Sequence, residues 1–155
     1  MAYLLLLLMI IPSYLFSQTL VSPYLSNPEN ILGYVDSAAT FWINAHDPTY
    51  GGFYTDVDRM GNHLGTNKAL LSQTRNAYGF VRAYMLTGNE QYLQMAEDAL
   101  NFMYNHAWDN TYEGWFNLMT RDGTPINPNG TKTAFDQHYA LLGISAYVEA
   151  TDDSL

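Results

Sequence analysis

The sequence contains an internal repeat, and this feature constrains the fold more than any other. The segment HDPTYGGFYTDVDRMG (46–61) aligns with WDNTYEGWFNLMTRDG (108–123) at a shift of 62 residues. The shift becomes 64 further along, because two residues are inserted in the second loop. The aligned positions are mostly aspartate, glycine, aromatic and basic residues: Asp47/Asp109, Gly52/Gly114, Arg59/Arg121, Lys68/Lys132, Gln73/Gln137 and Gly79/Gly143. A repeat of this kind predicts two copies of one supersecondary unit.

Each copy is predicted to place a short loop between two helices. Apolar residues recur at helical spacing after Asn27, which can cap a helix that has Pro28 at its first position. A second helix is predicted over about 68–87 with Gly88 as its stop, a third after the cap Asn89, and a fourth over about 132–151. The loops between them read as small β-hairpins or extended segments.

Three further expectations concern single residues and the chain end. Trp42 and Trp108 are predicted to lie in the core. Lys68 and Lys132 begin predicted helices and are expected to pair with aspartates in the loops. The final residues DDSL resemble the start of a fifth helix.

Long helical hairpins with elaborate loops at one end are typical of a closed toroid of helices. Two and a half such units cannot close a ring, and the open side would expose apolar surface. We therefore expect an all-α chain that forms an incomplete ring. Either a missing C-terminal part or an oligomer would complete it.

The N-terminus MAYLLLLLMIIPSYLFSQ is predicted to be a secretory signal peptide spanning residues 1–17. The apolar run is too short to span a bilayer, and small residues follow the break at Pro12. Its n-region has no Lys or Arg, so a buried N-terminal helix is the alternative. Cleavage would leave residues 18–155 as one domain in a periplasm or outside the cell, without a membrane anchor.

The composition excludes several classes of function. Six basic and fifteen acidic side chains give a formal charge of −9, which argues against a nucleic-acid partner. The absence of cysteine excludes disulfides, a thiol nucleophile and thiolate metal sites. The histidines lack metal-ligand spacing, and no phosphate-binding loop occurs. We expect neither a metal nor another cofactor.

Arg75 lies in the middle of an apolar and aromatic predicted helix, within the stretch KALLSQTRNAYGFVRAY (68–84). A mid-helix arginine is commonly a surface charge whose stem lies along apolar neighbours. The alternative is a cation in a pocket. The residue pattern alone leaves both interpretations open, and the repeat equivalent of Arg75 is Tyr139.

Four segments together resemble the N-acylglucosamine 2-epimerase family, which includes cellobiose 2-epimerases and mannose isomerases. They are DPTYGGFYTDVDRMG, SQTRNAYGF, DNTYEGWFNLMTRDG and KTAFDQHYALLGISAYVEATDD, and the resemblance runs from about residue 31 to the end of the chain. It implies an (α/α)6 barrel with short β-hairpin loops at one end, of which this chain is the N-terminal portion. It also implies a monosaccharide or disaccharide substrate.

The chemistry implied by the resemblance is removal of the C2 proton of an aldose. A cis-enediolate forms, and the proton returns to the other face of C2 or to C1. The match Gln73-Thr74-Arg75 implies that Arg75 stabilises the enediolate oxygen in the pocket. The family's two catalytic histidines lie on later helices, beyond Leu155, so the chain alone is expected to be inactive.

Weaker substrate contacts are implied for Tyr54, Phe116 and His138. Aromatic rings at loop tips can stack on the apolar face of a sugar, although Tyr54 and Phe116 could instead be hydrophobic plugs. His138 is one position away from a family histidine, and a structural role is the alternative for it.

The sequence leaves two other functions open. A secreted (α/α)-toroid glycoside hydrolase or polysaccharide lyase would use carboxylates, for which Asp47, Asp56, Asp109 and Glu113 are candidates. A non-catalytic carbohydrate-binding module would use the exposed aromatic residues.

Overall fold

The structure is a computed structural model that describes residues 22–152. The chain divides into two compact units, Met1–Ile31 and Leu32–Leu155. In the first unit, the short helix α1 (Pro23–Ser26) accepts a hydrogen bond of 2.9 Å from the side chain of Asn30 at the carbonyl of Pro23. The predicted signal peptide and most of the predicted start of a fifth helix lie outside the described residues.

Four longer helices follow the predicted pattern, and the mostly helical class is confirmed. They are α2 (Pro28–Ile43), α3 (Leu70–Thr87), α4 (Glu90–Phe102), which continues into a π-helical turn (Met103–Ala107), and α5 (Ala134–Thr151). Gly88 ends α3 in the left-handed conformation at φ 70°, and the side chain of Asn89 caps α4. In the part of the chain that is described, no helix has the length and apolar character needed to cross a bilayer.

The core lies where α3 packs against α4 and α5. The hydroxyl of Thr74 on α3 donates to the carbonyl of Tyr139 at 2.8 Å, and it accepts from the backbone N–H of Gly143 at 2.9 Å. A Cβ atom on Gly143 would lie 2.8 Å from the Cβ of Ala77. The absence of a side chain at Gly143 therefore lets α3 and α5 approach this closely.

The two loops have the same backbone path. Single β-bridges join His46 to Phe53 and Trp108 to Trp115, so the predicted hairpins are present as bridges rather than as long strands. The N–H groups of Asp47 and Asp109 donate across the loops at 2.9 Å, to the carbonyls of Gly52 and Gly114 respectively. These glycines have φ values of 67° and 78°, which strongly favour glycine.

A short antiparallel pair joins one repeat to the other. β1 (Lys68–Ala69) pairs with β2 (Leu118–Met119), with Lys68 opposite Met119. The helix α3 therefore begins at Leu70 rather than at Lys68, because the preceding two residues are extended in this pair. The prediction of Trp42 and Trp108 in the core is wrong, since both are more than a third exposed.

The two repeat-equivalent glycines give a matched test of the helix packing. Gly143→Ala should lower the free energy of unfolding by about 1–3 kcal/mol, because the added methyl group overlaps α3. Gly79→Ala should raise it by up to about 1 kcal/mol, because nothing lies within 4 Å of the new atom and alanine favours the helix. Urea unfolding followed by circular dichroism measures both. Equal effects would contradict the close approach at Gly143.

Candidate functional site

A cluster of charged side chains connects the two repeats at the loop end of the helices; Asp47 and Lys68 are buried and the Arg121 side chain is 42% exposed. The carboxylate of Asp47 accepts hydrogen bonds from Lys68 Nζ at 3.0 Å and from Arg121 Nε and Nη2 at 2.8 and 3.0 Å. Lys68 also donates to the carbonyls of Gly51 at 2.6 Å and Arg121 at 2.8 Å. Asp47 and Lys68 come from the first repeat and Arg121 from the second, so the cluster fixes one repeat on the other.

The electrostatics of this cluster follow from burial and pairing. Burial by itself raises the pKa of Asp47, but the hydrogen bonds from Arg121 and Lys68 outweigh it and hold the pKa well below its usual range. Burial lowers the pKa of Lys68, and the neighbouring Asp47 carboxylate opposes that shift. The attraction and hydrogen bonds between Asp47 and Lys68 therefore compensate for the cost of burying their charges.

The second repeat reproduces half of the cluster. Lys132 Nζ donates to the carboxylate of Asp109 and to the carbonyl of Glu113, as Lys68 does to Asp47 and Gly51. Among residues 22–152, no arginine contacts Asp109. The predicted pairing of both lysines with loop aspartates is confirmed.

A glutamine holds each loop onto its helix. Gln73 accepts from the N–H of Phe53 and donates to its carbonyl, both at 2.7 Å. Gln137 makes the same two bonds with Trp115, at 2.7 and 3.0 Å. Each side-chain amide thus makes the two backbone hydrogen bonds that a neighbouring β-strand would make with that loop residue.

The predicted catalytic residue Arg75 lies on α3 beside a cavity of about 690 Å³. Its guanidinium carbon is 4.9 Å from the ring centre of Tyr139 on α5. The cavity is bounded by α2, α3 and the first loop; its polar lining also includes Thr55, Ser72, Asn76 and Arg82. The Arg75 side chain is exposed, and the lining combines its guanidinium with hydroxyl groups and aromatic surface, which suits a small polar ligand with apolar faces.

The three other residues predicted to contact the substrate, Tyr54, Phe116 and His138, do not line this cavity. Tyr54 is 5 % exposed, and its ring stacks on His63 at 4.6 Å and lies 5.5 Å from Lys68 Nζ. Phe116 is half-buried, 5.2 Å from Lys132 Nζ. His138 is exposed, with Nδ1 2.6 Å from the carbonyl of Ala134. Sugar contact by these three residues stays a prediction.

Sequence reasoning missed the roles of Arg121 and Gln73. The alignment of Arg59 with Arg121 and of Gln73 with Gln137 was the available signal. It marked these positions as structurally required, but it did not show that the arginine bonds across the repeat boundary.

Comparison with known proteins defines the class to which this fold and cavity belong. The family description N-acylglucosamine 2-epimerase (GlcNAc 2-epimerase) matches residues 51–155, which is more than half of the chain. The chain therefore belongs to the N-acylglucosamine 2-epimerase family.

Individual relatives are similar over part of their length. Cellobiose 2-epimerase from Ruminococcus albus is 27% identical over 119 residues, which cover 76% of this chain and 30% of the relative. The cellobiose 2-epimerase structure from Spirochaeta thermophila has a TM-score of 0.70 and 27% identity, over 87% of this chain and 34% of that one. A D-mannose isomerase structure has a TM-score of 0.64 at 17% identity, over 75% of this chain and 31% of that one, and this shows likeness of fold alone. The chain spans about a third of the length of these relatives.

Replacing each loop aspartate by asparagine tests the asymmetry between the repeats. Asp47→Asn should lower the free energy of unfolding by about 3–5 kcal/mol, because it leaves the buried Lys68 ammonium without its counter-charge. Asp109→Asn should have a smaller effect, because the Lys132 side chain is 21% exposed and can be hydrated. Urea unfolding at neutral pH compares the two variants, and a larger effect at Asp109 would contradict this description.

Proposed function

We propose that this chain forms part of a sugar-binding barrel that catalyses 2-epimerisation or aldose–ketose isomerisation. Membership of the N-acylglucosamine 2-epimerase family supports a carbohydrate reaction. The observation that carries the proposal is the position of Arg75 beside a cavity of about 690 Å³ whose lining suits a monosaccharide or disaccharide. The similarity to enzymes named cellobiose 2-epimerase makes cellobiose a reasonable first ligand.

Arg75 is proposed to stabilise the negative charge that develops when the C2 proton leaves. A guanidinium stays charged when water is excluded, and its planar fork can donate to two sugar oxygens. Its guanidinium carbon lies 4.9 Å from the centre of the Tyr139 ring, and this contact is proposed to orient the exposed side chain toward the charge as it develops. The proton transfer itself requires a general base close to C2.

The rest of the site is proposed to come from outside residues 1–155. In the proposed (α/α)6 barrel, this chain supplies the first part of the wall, and the general base lies on helices that follow. The chain matches only about a third of each relative, in agreement with this division. Export through the N-terminal segment, and hence a periplasmic or secreted site of action, is also proposed.

The isolated chain should show no epimerase or isomerase activity. Incubation of the pure chain with cellobiose or mannose in D₂O should leave the C2 proton signal unchanged in the ¹H NMR spectrum, because no base is supplied. The cellobiose 2-epimerase of Ruminococcus albus serves as the positive control for cellobiose. Exchange of the C2 proton by this chain would contradict the proposed division of the site.

Sugar binding, in contrast, should be measurable and should depend on Arg75. Titration with cellobiose should shift the ¹H–¹⁵N signals of the cavity residues Thr55, Ser72 and Asn76. Arg75→Ala should weaken binding about tenfold or more, because a hydrogen bond from a charged donor is lost. Arg59→Ala, which removes an exposed arginine outside the cavity, is the control. Binding that is unchanged in Arg75→Ala would overturn the assignment.

The two other functions considered from the sequence gain no support from these comparisons. The carboxylates nominated for a hydrolase include Asp47 and Asp109, and both are engaged in ion pairs that hold the loops.

A further inference from the structure

A histidine lies beneath the turn that carries Arg121. The turn spans residues 120–124 and follows β2 directly. Gly123 lies against the imidazole of His106, so that a Cβ atom added at this glycine would overlap the ring. The ring of Phe102 on α4 packs against the same imidazole, with 4.9 Å between the ring centres. The turn is therefore supported by a half-buried imidazole of the π-helical turn.

The first repeat supports its own turn with a residue that does not titrate. Asn44 is the repeat equivalent of His106 and lies beneath Gly61 in the same way, since a Cβ atom added at Gly61 would lie 2.9 Å from Nδ2 of Asn44. The turn above Asn44 carries Arg59, which is exposed and has no ion pair among the described residues. The turn above His106 carries Arg121, which joins the repeats. The titratable residue thus lies under the turn that holds the two repeats together.

The surroundings of His106 disfavour its protonation. Burial is the largest cause that lowers the pKa of His106, and the nearby Lys68 ammonium of β1 lowers it further. The elements packed against the π-helical turn are α3, α4 and β2. Besides Lys68, the charged group of the described residues that acts on the ring is the Asp122 carboxylate, which raises the pKa but is outweighed. The imidazole is therefore neutral at neutral pH, and its protonation brings a second cation close to Lys68.

We propose that His106 makes the contact between the repeats sensitive to acid: protonation of His106 displaces the turn 120–124 and so releases Arg121 from Asp47. An imidazolium beneath the turn is shielded from water and faces the Lys68 ammonium. Moving the turn away reduces both costs, because it admits water to the ring. The same movement removes the carbonyl of Arg121 as an acceptor for Lys68.

The pH range of this effect differs from that of the carboxylates. The folded chain binds the proton of His106 less tightly than the unfolded chain, so its stabilising contribution is complete above about pH 6.5 and is lost as the pH falls below that value. The Asp47 carboxylate stays charged in this range, because its pKa is held well below its usual range. Other carboxylates with a lowered pKa lose their contributions only near and below their ordinary values of about 4: Asp58, Asp109, Asp122 and Glu149. Among the described groups with a shifted pKa, His106 is therefore the first to weaken the fold on acidification.

An NMR titration of the unaltered chain from about pH 7.5 to about pH 5 tests the coupling. The ¹H–¹³C signal of the His106 ring reports its protonation, and the ¹H–¹⁵N signal of Arg121 Nε–H reports the 2.8 Å bond to Asp47. Both signals should move with the same midpoint, below pH 6.5. The equilibrium constant for urea unfolding should rise over the same range, by at most about tenfold per pH unit, which is the limit for one proton.

His106→Asn is the matched variant, because the chain already places Asn44 beneath the equivalent turn. This variant should abolish the movement of the Arg121 signal and most of the pH dependence of unfolding in this range. His138→Asn, which removes an exposed histidine of α5, should leave both unchanged.

An Arg121 signal that stays constant while the His106 ring titrates would overturn the proposal. An equal pH dependence in His106→Asn, or a ring midpoint at or above pH 6.5, would also overturn it. If His106→Asn does not fold, the two signals of the unaltered chain decide the matter alone. The titration contains no sugar, so its outcome is independent of the proposed sugar binding.

Discussion

The ion cluster of buried Asp47 and Lys68 with the partly exposed Arg121 is the interaction on which the arrangement of the two repeats depends. A fully buried ammonium and carboxylate are costly to remove from water unless they are paired and hydrogen-bonded on all sides. Here the required partners come from both repeats, including two backbone carbonyls. All of these hydrogen bonds form together only when the second loop lies in one position against the first. The cluster therefore determines the relative position of the two loops as well as stabilising it.

Much of the fold could be predicted because local rules and the repeat agree. Helix stops at Gly88 and caps at Asn89 are local features, and the structure contains both. The start of α3 could not be predicted in this way. Lys68 and Ala69 are extended because they pair with β2, about fifty residues later in the chain, and helical spacing carries no information on such a partner.

The exposure of Trp42 and Trp108 shows a second limit of sequence reasoning. Large aromatic residues at helical spacing normally indicate a buried face, but which face is covered depends on the neighbouring helices. The candidate site shows the same limit. Arg75 was identified from a short motif and lies beside a cavity, whereas Tyr54 and Phe116 pack beside the loop lysines. Whether an aromatic ring at a loop tip turns inward or outward is decided by tertiary packing.

The glutamine bonds to the loops have a consequence for how such proteins can diversify. Gln73 and Gln137 hold the backbone of Phe53 and Trp115 through both the N–H and the carbonyl. Because these bonds use main-chain atoms of the loop, the exposed loop side chains can change while the loop keeps its path, whereas the buried Phe53 and Asp47 are constrained by the core. Selection for a new substrate can thus act on loop residues one at a time, with the scaffold beneath them unchanged.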